Sequence, residues 1–126
     1  PEESIPCIWI DPERIRQILS ILLDNALFYT PAQKAIHICV SLANHSRYLV
    51  IQVKDQGCGI PRENQPYIFD RFYRADKARS GKEHFGLGLS IAKELAILHG
   101  GTITVADNPG GGSCFSVTLP ARFSFP

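Results

Sequence analysis

The chain has 126 residues, of which 44% are hydrophobic and 20% charged, and its formal net charge is +1. A chain of this length can bury one ordinary core, so we expect a single domain over residues 1–126. Lysine and arginine are scattered among aspartate and glutamate, which argues against nucleic acid as a ligand. Because no apolar run approaches the ~20 residues needed to cross a bilayer, we expect this piece to be soluble.

The four cysteines lie far apart, without the paired spacing that indicates a zinc site: Cys7, Cys39, Cys58 and Cys114. We expect them to be free thiols that pack as small hydrophobic side chains, in preference to disulfides. A reducing compartment, the cytoplasm, is therefore the expected location.

The first predicted elements are a short strand at residues 7–10 and a long helix. Asp11, Pro12 and an acidic first turn form a helix start, so the helix is expected to begin at Pro12. Apolar residues then recur at three- and four-residue spacing along one face. Pro31 prevents continuation, which places the end of the helix near Tyr29.

A predicted β-hairpin and a long loop follow. Residues 35–43 and 48–54 alternate between apolar and polar side chains, and residues 44–46 separate them. Residues of about 57–85 are rich in glycine, proline and charge. We interpret them as a mobile lid that carries a small helix in the aromatic segment 67–73. Long loops in compact domains are usually functional, so a ligand is expected beneath this lid.

A second helix and two more strands complete the predicted domain. Apolar residues at helical spacing predict a helix over residues 88–98, which ends at the Gly100–Gly101 pair. Residues 102–106 and 114–119 then predict two strands joined by a turn at residues 109–112. We find no internal repeat and no second domain.

Asp55 is the first residue whose position suggests chemistry. It ends a predicted strand and precedes Gly57 and Gly59, which allow the backbone to turn sharply against a ligand. A carboxylate accepts hydrogen bonds only, and an amino group such as that of adenine is a suitable donor. The alternative is an ordinary turn, because aspartate is common before glycine in turns.

Two further features point to phosphate and metal. Gly86 and Gly88 begin the second helix, where free N–H groups and the helix dipole favour phosphate, although glycines there can serve packing alone. Asn25 presents a carboxamide oxygen from the first helix, which is a suitable ligand for Mg²⁺. A helical asparagine can also be merely solvated.

The order of these features is more specific than any one of them. A helix with Asn25, a strand ending in Asp55, an aromatic lid and a glycine-rich helix start together resemble the N, G1, F and G2 boxes of the catalytic domain of bacterial sensor histidine kinases. The resemblance covers roughly residues 10–120. It includes segments 22–26, 29–31, 68–74 and 112–115.

The resemblance implies a GHKL (Bergerat) α/β fold, in which a mixed β-sheet packs on about three helices in two layers and ATP lies beneath a long lid. It implies that Asn25 binds Mg²⁺ and that Asp55 accepts the adenine amino group. The remaining ATP-binding residues that it implies are Tyr29, Gly57, Gly59, Ile60, Phe69, Arg71, Phe72, Arg74, Gly86, Leu87, Gly88 and Leu89. Among these, the phenylalanines would anchor the lid and the arginines would contact phosphate or lid, although aromatic residues three apart also pack simply as neighbours.

The resemblance also implies a function. The domain would bind Mg-ATP and, in the full-length protein, transfer the γ-phosphoryl group to a histidine of a helical dimerisation domain, which this chain lacks. It implies a response regulator as a further partner, and a cytoplasmic position in a membrane-anchored homodimeric sensor. His37, His45, His84 and His99 lie outside the helical motif of the family's acceptor, so none is expected to be phosphorylated.

Two positions depart from the family pattern. Ile21 stands where the family usually has another asparagine, and Phe28 where it commonly has lysine or arginine. Related ATPases such as DNA gyrase carry a glutamate base at the position of Ile21, so efficient hydrolysis is disfavoured. Two alternatives stay open. One is a regulatory or degenerate ATP-binding module, and the other is a serine kinase of the same fold that resembles the anti-sigma factors.

Overall fold

The computed structural model describes residues 11–43, 47–71 and 88–120. The predicted strand at residues 7–10 and the turn at residues 44–46 lie outside these ranges. The described elements are α1 (Pro12–Tyr29), β1 (His37–Ala43), β2 (Tyr48–Lys54), a 3-10 turn η1 (Gln65–Tyr67), α2 (Gly88–Leu98), β3 (Thr102–Asp107) and β4 (Ser113–Pro120).

Helix α1 begins and ends where the sequence predicts. Asp11 caps its first turn, because Oδ1 accepts hydrogen bonds from the backbone N–H of Glu13 at 3.1 Å and of Arg14 at 3.4 Å. At the other end, Thr30 adopts an extended conformation and its N–H donates to the carbonyl of Ala26. The proline that follows cannot continue the helix.

Helix α2 also has the predicted bounds and ends at a glycine cap. Gly100 has a φ of +77°, which favours glycine, and the N–H of Gly101 donates to the carbonyl of Ala96 at 2.9 Å. The ring nitrogen Nδ1 of His99 lies 3.0 Å from the carbonyl oxygen of Leu95. His99 therefore contacts the C-terminal turn of α2.

The four described strands form one sheet in the order β1-β2-β4-β3. The family resemblance implies a mixed sheet, whereas all three described strand pairs are antiparallel. β2 and β3 run in the same direction, but β4 lies between them, so they form no parallel pair. This split arrangement brings the end of β2 beside the start of β4.

Helices α1 and α2 pack together on one face of the sheet, which gives the predicted two-layer architecture. The most deeply buried large side chains come from α1, β2 and β4: Ile18, Leu22, Val53, Phe115, Val117 and Leu119. In the described part of the chain two helices take part, fewer than the three expected. Strand β1 extends beyond them, so its apolar side chains remain exposed: Ile38, Val40 and Leu42.

The first part of the lid is a turn rather than a regular α-helix. The N–H of Tyr67 donates to the carbonyl of Asn64, and that of Asp70 donates to Tyr67, so both hydrogen bonds join residues three apart. Ile68 is buried among the core side chains. Residues 72–87 lie outside the described ranges. Across the described residues, neither helix has the length and apolar character that a membrane span requires.

Candidate functional site

Asp55 lies directly after β2 and is almost fully buried, with 3% of its surface exposed. Its carboxylate oxygen Oδ1 accepts two backbone hydrogen bonds, from Gly57 at 2.9 Å and from Ser113 at 3.1 Å. Among the described residues, Oδ2 accepts none. In the described structure, Thr30 Oγ1 is the only fully buried side-chain polar atom that lacks a hydrogen-bond partner. Oδ2 of Asp55 also lacks a partner but is not in this group, so it is accessible to solvent.

The backbone of Asp55 is also held on both sides. Its N–H donates to the carbonyl of Ser113 at 2.9 Å. Its carbonyl oxygen accepts a hydrogen bond from Nδ2 of Asn108 at 2.8 Å. Asn108 lies in the connection between β3 and β4, so Asp55 is held in place by residues more than fifty positions away in the sequence.

Glycine is required at two positions around this carboxylate. A Cβ on Gly57 would lie 2.6 Å from the carbonyl oxygen of Tyr29, at the end of α1. Gly112 has a φ of +94°, and a Cβ there would overlap the carbonyl oxygen of Asp55. Both glycines therefore allow close approach between backbone segments of the protein, whereas the sequence predicts that Gly57 lets the backbone turn against a ligand. Gly59 has a φ of +76°, where glycine is also favoured.

A second group of candidate residues lies where α1 meets α2. Asn25 is 8% exposed, and its carboxamide has no hydrogen bond among the described residues. Ile21 lies one helical turn earlier on the same face of α1. A Cβ on Gly88 would lie 3.3 Å from Cγ2 of Ile21, so this isoleucine contacts the start of α2. We call Ile21, Asn25, Phe28 and Gly88 the α1–α2 end of the site.

Phe28 and Tyr29 form an aromatic pair at the end of α1. Their ring centroids lie 4.8 Å apart and the rings meet edge to face. Phe28 is 37% exposed, so its ring is only partly packed. A lysine at this position would therefore not have to be buried.

The described start of the lid contacts both the core and α2. The rings of Phe69 and Phe115 meet edge to face with centroids 6.1 Å apart, and Nζ of Lys93 lies 5.5 Å from the Phe69 centroid. Arg71 forms an ion pair with Glu94 of α2 at 3.7 Å. Phe69 thus has the anchoring contact that the sequence predicts, and Arg71 contacts α2.

The base of the lid is joined to the end of β3. Nε2 of Gln65 donates to Oδ1 of Asp107 at 2.9 Å and to the carbonyl of Ile60 at 3.0 Å. Arg62 adds a longer contact to Oδ2 of Asp107 at 3.5 Å. Ile60 packs against the core. Asp107 and Asn108 are adjacent, so one short segment holds both the lid base and the backbone of Asp55.

Comparison with known proteins identifies the family. Residues 10–122 match the family described as histidine kinase-, DNA gyrase B- and HSP90-like ATPases. The chain belongs to this family. The matched range covers every described element, including both groups of candidate residues.

The curated relatives of this ATPase domain include sensor kinases. The adaptive-response sensory kinase SasA of Trichormus variabilis is 42% identical over 118 residues, which are 94% of this chain and 29% of that protein. The sensor histidine kinase YkoH of Bacillus subtilis is 46% identical over 108 residues, which are 85% of this chain and 23% of that protein. The chain thus spans less than a third of the length of these relatives.

Solved structures of histidine kinases share the fold. The mycobacterial sensor histidine kinase MprB superposes with a TM-score of 0.81 at 28% identity, covering 93% of this chain and 78% of that chain. Full-length ShkA, in complex with AMPPNP, gives a TM-score of 0.82 at 29% identity and covers 97% of this chain and 24% of that chain. The predicted resemblance and the two-layer GHKL fold are therefore confirmed.

The ATPase domain brings together only part of the predicted site within its described residues. One group lies at one end of the sheet and consists of Tyr29, Asp55 and Gly57. The other group lies where α1 contacts α2 and includes Asn25 and Gly88. Leu89 packs against the core. Four predicted residues lie outside the described ranges: Phe72, Arg74, Gly86 and Leu87.

Three residues that hold Asp55 were not among the predicted site residues: Asn108, Gly112 and Ser113. The sequence carries a signal for them, because an asparagine, a proline and three glycines precede Ser113. Such a run predicts a turn at residues 109–112, but it does not indicate which strand end the turn will contact. That contact depends on β4 lying beside β2.

Proposed function

We propose that this ATPase domain binds Mg-ATP and, within a longer protein, donates the γ-phosphoryl group to a histidine of a separate helical dimerisation domain. The observation that carries this proposal is the buried carboxylate of Asp55. One of its oxygens is saturated by two N–H groups, while the other has no partner among the described residues. Such a carboxylate is positioned to accept one more hydrogen bond.

The adenine amino group is the donor that we propose for Oδ2 of Asp55. Oδ2 is open to solvent while the rest of the carboxylate is buried and fixed, so a ligand that supplies an N–H there gains a charge-assisted hydrogen bond. Guanine presents a carbonyl at the same position and would repel the carboxylate. We also propose Gly57 and Gly59 as the turn beside the base, since Gly57 donates its N–H to Oδ1 of Asp55 and Gly59 has a φ of +76°, which favours glycine.

Asn25 is the residue that we propose for Mg²⁺. Its side chain is largely buried, and its carboxamide makes no hydrogen bond among the described residues but is not fully enclosed, so its oxygen is open to a hard cation. The ion would neutralise phosphate charge when bound. Gly88 and Leu89, with Gly86 and Leu87, are the residues that we propose for the phosphates, since α2 begins there.

Phosphoryl transfer to another group, rather than rapid hydrolysis, is the outcome that Ile21 favours. An isoleucine has no proton acceptor and cannot activate a water molecule. Its contact with Gly88 also fills the space beside the start of α2 with an apolar side chain. We therefore propose that a separate domain, and not water, supplies the phosphoryl acceptor.

The properties of the longer protein are proposed from its relatives. The names of SasA and YkoH describe those proteins as sensory or sensor kinases. We propose by analogy that this chain belongs to a homodimeric sensor, anchored in the cell membrane with this domain in the cytoplasm. Its further partner would be a response regulator. The name of YkoH, a sensor histidine kinase, also favours histidine over serine as the phosphoryl acceptor.

A second candidate is an ATP-binding module that regulates without transferring phosphate. The observation that favours it is the apolar character of the α1–α2 end, where Ile21 and Phe28 replace polar residues typical of the family. Under this alternative, ATP would bind through Asp55 with little gain from the γ-phosphate. ATP and ADP would then have similar affinities.

Nucleotide titration tests both candidates. We expect the chain to bind ATP more tightly than GTP, and more tightly with Mg²⁺ than without it. Phosphate release by the saturated chain should fall far below the ~10 s⁻¹ typical of enzymes. Failure to bind ATP would refute the proposal, and fast hydrolysis would show that a base other than residue 21 is present. Equal affinities for ATP and ADP would favour the regulatory module.

A further inference from the structure

We propose that Asn108 is a positioning residue that sets the base specificity of the nucleotide site. This inference rests on the proposed function, because it concerns how Asp55 is aimed at adenine. Asn108 does not itself contact the base in the proposal. Its side chain donates a hydrogen bond to the backbone carbonyl of Asp55. The N–H of Ser113 is then free to donate to the carboxylate of Asp55.

The hydrogen bonds between Asp55 and Ser113 depart from a regular antiparallel ladder. The strand register pairs Lys54 with Cys114, so Asp55 and Ser113 form the next opposed pair. In a regular hydrogen-bonded pair, each residue donates its N–H to the carbonyl of the other. Here only the N–H of Asp55 follows that rule, at 2.9 Å from the carbonyl oxygen of Ser113.

The second bond of the pair is exchanged for two others. The N–H of Ser113 donates to the carboxylate Oδ1 of Asp55 at 3.1 Å. The carbonyl oxygen of Asp55, which the ladder would leave to that N–H, accepts Nδ2 of Asn108 at 2.8 Å instead. The side chain of Asn108 thus replaces a backbone donor. This replacement frees the N–H of Ser113 to fix the carboxylate.

Asn108 is itself held firmly in a tight turn. Its N–H donates to the carbonyl of Gly112 at 3.0 Å, and its carbonyl accepts the N–H of Gly111 at 2.9 Å. Gly110, Gly111 and Gly112 all have positive φ angles, so the turn closes with a geometry that glycine favours. The hydrogen-bonded turn therefore places the carboxamide of Asn108 beside the backbone carbonyl of Asp55.

The consequence concerns the direction of the carboxylate. Without the donor of Asn108, the Asp55 carbonyl would compete with Oδ1 for the N–H of Ser113. Oδ1 would then keep only the N–H of Gly57, and the carboxylate would be free to rotate about its bond to Cβ. A rotating carboxylate loses its preference for a ligand that donates at one fixed place.

The test compares two nucleotides that differ only at the amino group. ATP carries the 6-amino group, and the triphosphate of purine riboside lacks it. The parent chain should prefer ATP because of Asp55. In Asn108→Leu, which keeps a similar shape but has no donor, this preference should fall by about fivefold, the effect of one hydrogen bond. Affinity for purine riboside triphosphate should stay unchanged.

Asn64→Leu is the matched control, because the Asn64 side chain makes no capping hydrogen bond at the start of η1. It should leave the preference for ATP intact. Asn108→Asp provides a second variant of nearly the same size, which also lacks the donor and should lose the preference. A general loosening of the domain would instead lower the affinities for both nucleotides equally, and that result would overturn the proposal.

The amide of Ser113 gives a readout that needs no nucleotide. Its NMR chemical shift and hydrogen exchange should change in Asn108→Leu and stay unchanged in Asn64→Leu. A parent chain that binds ATP with no preference over purine riboside triphosphate would refute the role of Asp55 and, with it, this proposal. A parent that does prefer ATP, with the preference retained in both Asn108 variants, would refute the role of Asn108 alone.

Discussion

The two ends of the proposed nucleotide site are built in opposite ways. At the Asp55 end, the backbone N–H, the backbone carbonyl and one carboxylate oxygen all have hydrogen-bond partners in the described structure. At the α1–α2 end, the buried carboxamide of Asn25 has none there, and Ile21 and Phe28 offer only apolar surface. At the Asp55 end the carboxylate is already fixed and only Oδ2 is left for a ligand, while at the other end the whole Asn25 carboxamide has no hydrogen bond in the described structure.

This difference indicates that the two ends of the site have separate roles in binding. A base is a rigid group whose recognition gains from donors and acceptors that are fixed beforehand, because little ordering is then needed on binding. Phosphates and Mg²⁺ carry large charges and can satisfy Asn25 themselves. We therefore expect substitutions at the Asp55 end to cost both stability and specificity. Substitutions at the α1–α2 end should change affinity with little effect on folding.

The largest effect is expected from Gly112→Ala. The added Cβ would overlap the carbonyl oxygen of Asp55 at a φ of +94°, so we expect a loss of about 3 kcal/mol or more in the free energy of unfolding. Gly110→Ala is the matched control, with a φ of +91° and no atom within 4 Å of the added Cβ. It should cost only about 1 to 2 kcal/mol. Equal losses in urea denaturation would contradict the close packing against Asp55.

Asp55→Asn should have the next largest effect, on affinity. The new amide group would face the adenine amino group donor to donor. We expect a ten- to hundredfold loss of ATP affinity, corresponding to a charge-assisted hydrogen bond of about 1.5 to 3 kcal/mol. Calorimetric titration measures this change in ATP affinity. Asp70→Asn, at an exposed position, controls for the change in net charge and should bind ATP normally. Unchanged ATP affinity in Asp55→Asn would disprove the adenine assignment.

Phe28→Lys tests whether the α1–α2 end lacks a charge. If a lysine there reaches phosphate, ATP affinity should rise by roughly two- to fivefold, more than ADP affinity, and the gain should shrink at high salt. Leu27→Lys adds the same charge to the adjacent, exposed position on α1 and should have no such selectivity. Weaker or unchanged ATP binding would indicate that Phe28 serves packing and that a lid residue such as Arg74 or Lys77 supplies the charge.

The smallest effect is expected from Glu94→Gln, which breaks the ion pair with Arg71. Both side chains are about two-thirds exposed, so the pair should contribute less than about 1 kcal/mol to stability. Thermal unfolding of Glu13→Gln, which removes the exposed pair with Arg16 on α1, provides the comparison. A shift in melting temperature well beyond that of the control would mean that this pair fixes the start of the lid.

Local signals in the sequence predicted most of the regular structure. Asp11 and Pro12 marked the start of α1, and Gly100 marked the end of α2, because caps depend on neighbouring residues alone. The alternation in residues 48–54 likewise located β2. The turn at η1 was harder to predict, since its hydrogen bonds and the burial of Ile68 depend on the core that it meets.

The sequence by itself determined the elements, their order and the residues that resemble an ATP-binding site, since periodicity, caps and motif spacing are properties of nearby residues. Only the tertiary structure decided that the turn after β3 would hold Asp55. Asn108 and Ser113 are separated from Asp55 by 53 and 58 positions, and they meet it because β4 lies between β2 and β3. Strand order depends on how the whole core packs, and no local pattern in a single sequence contains that information.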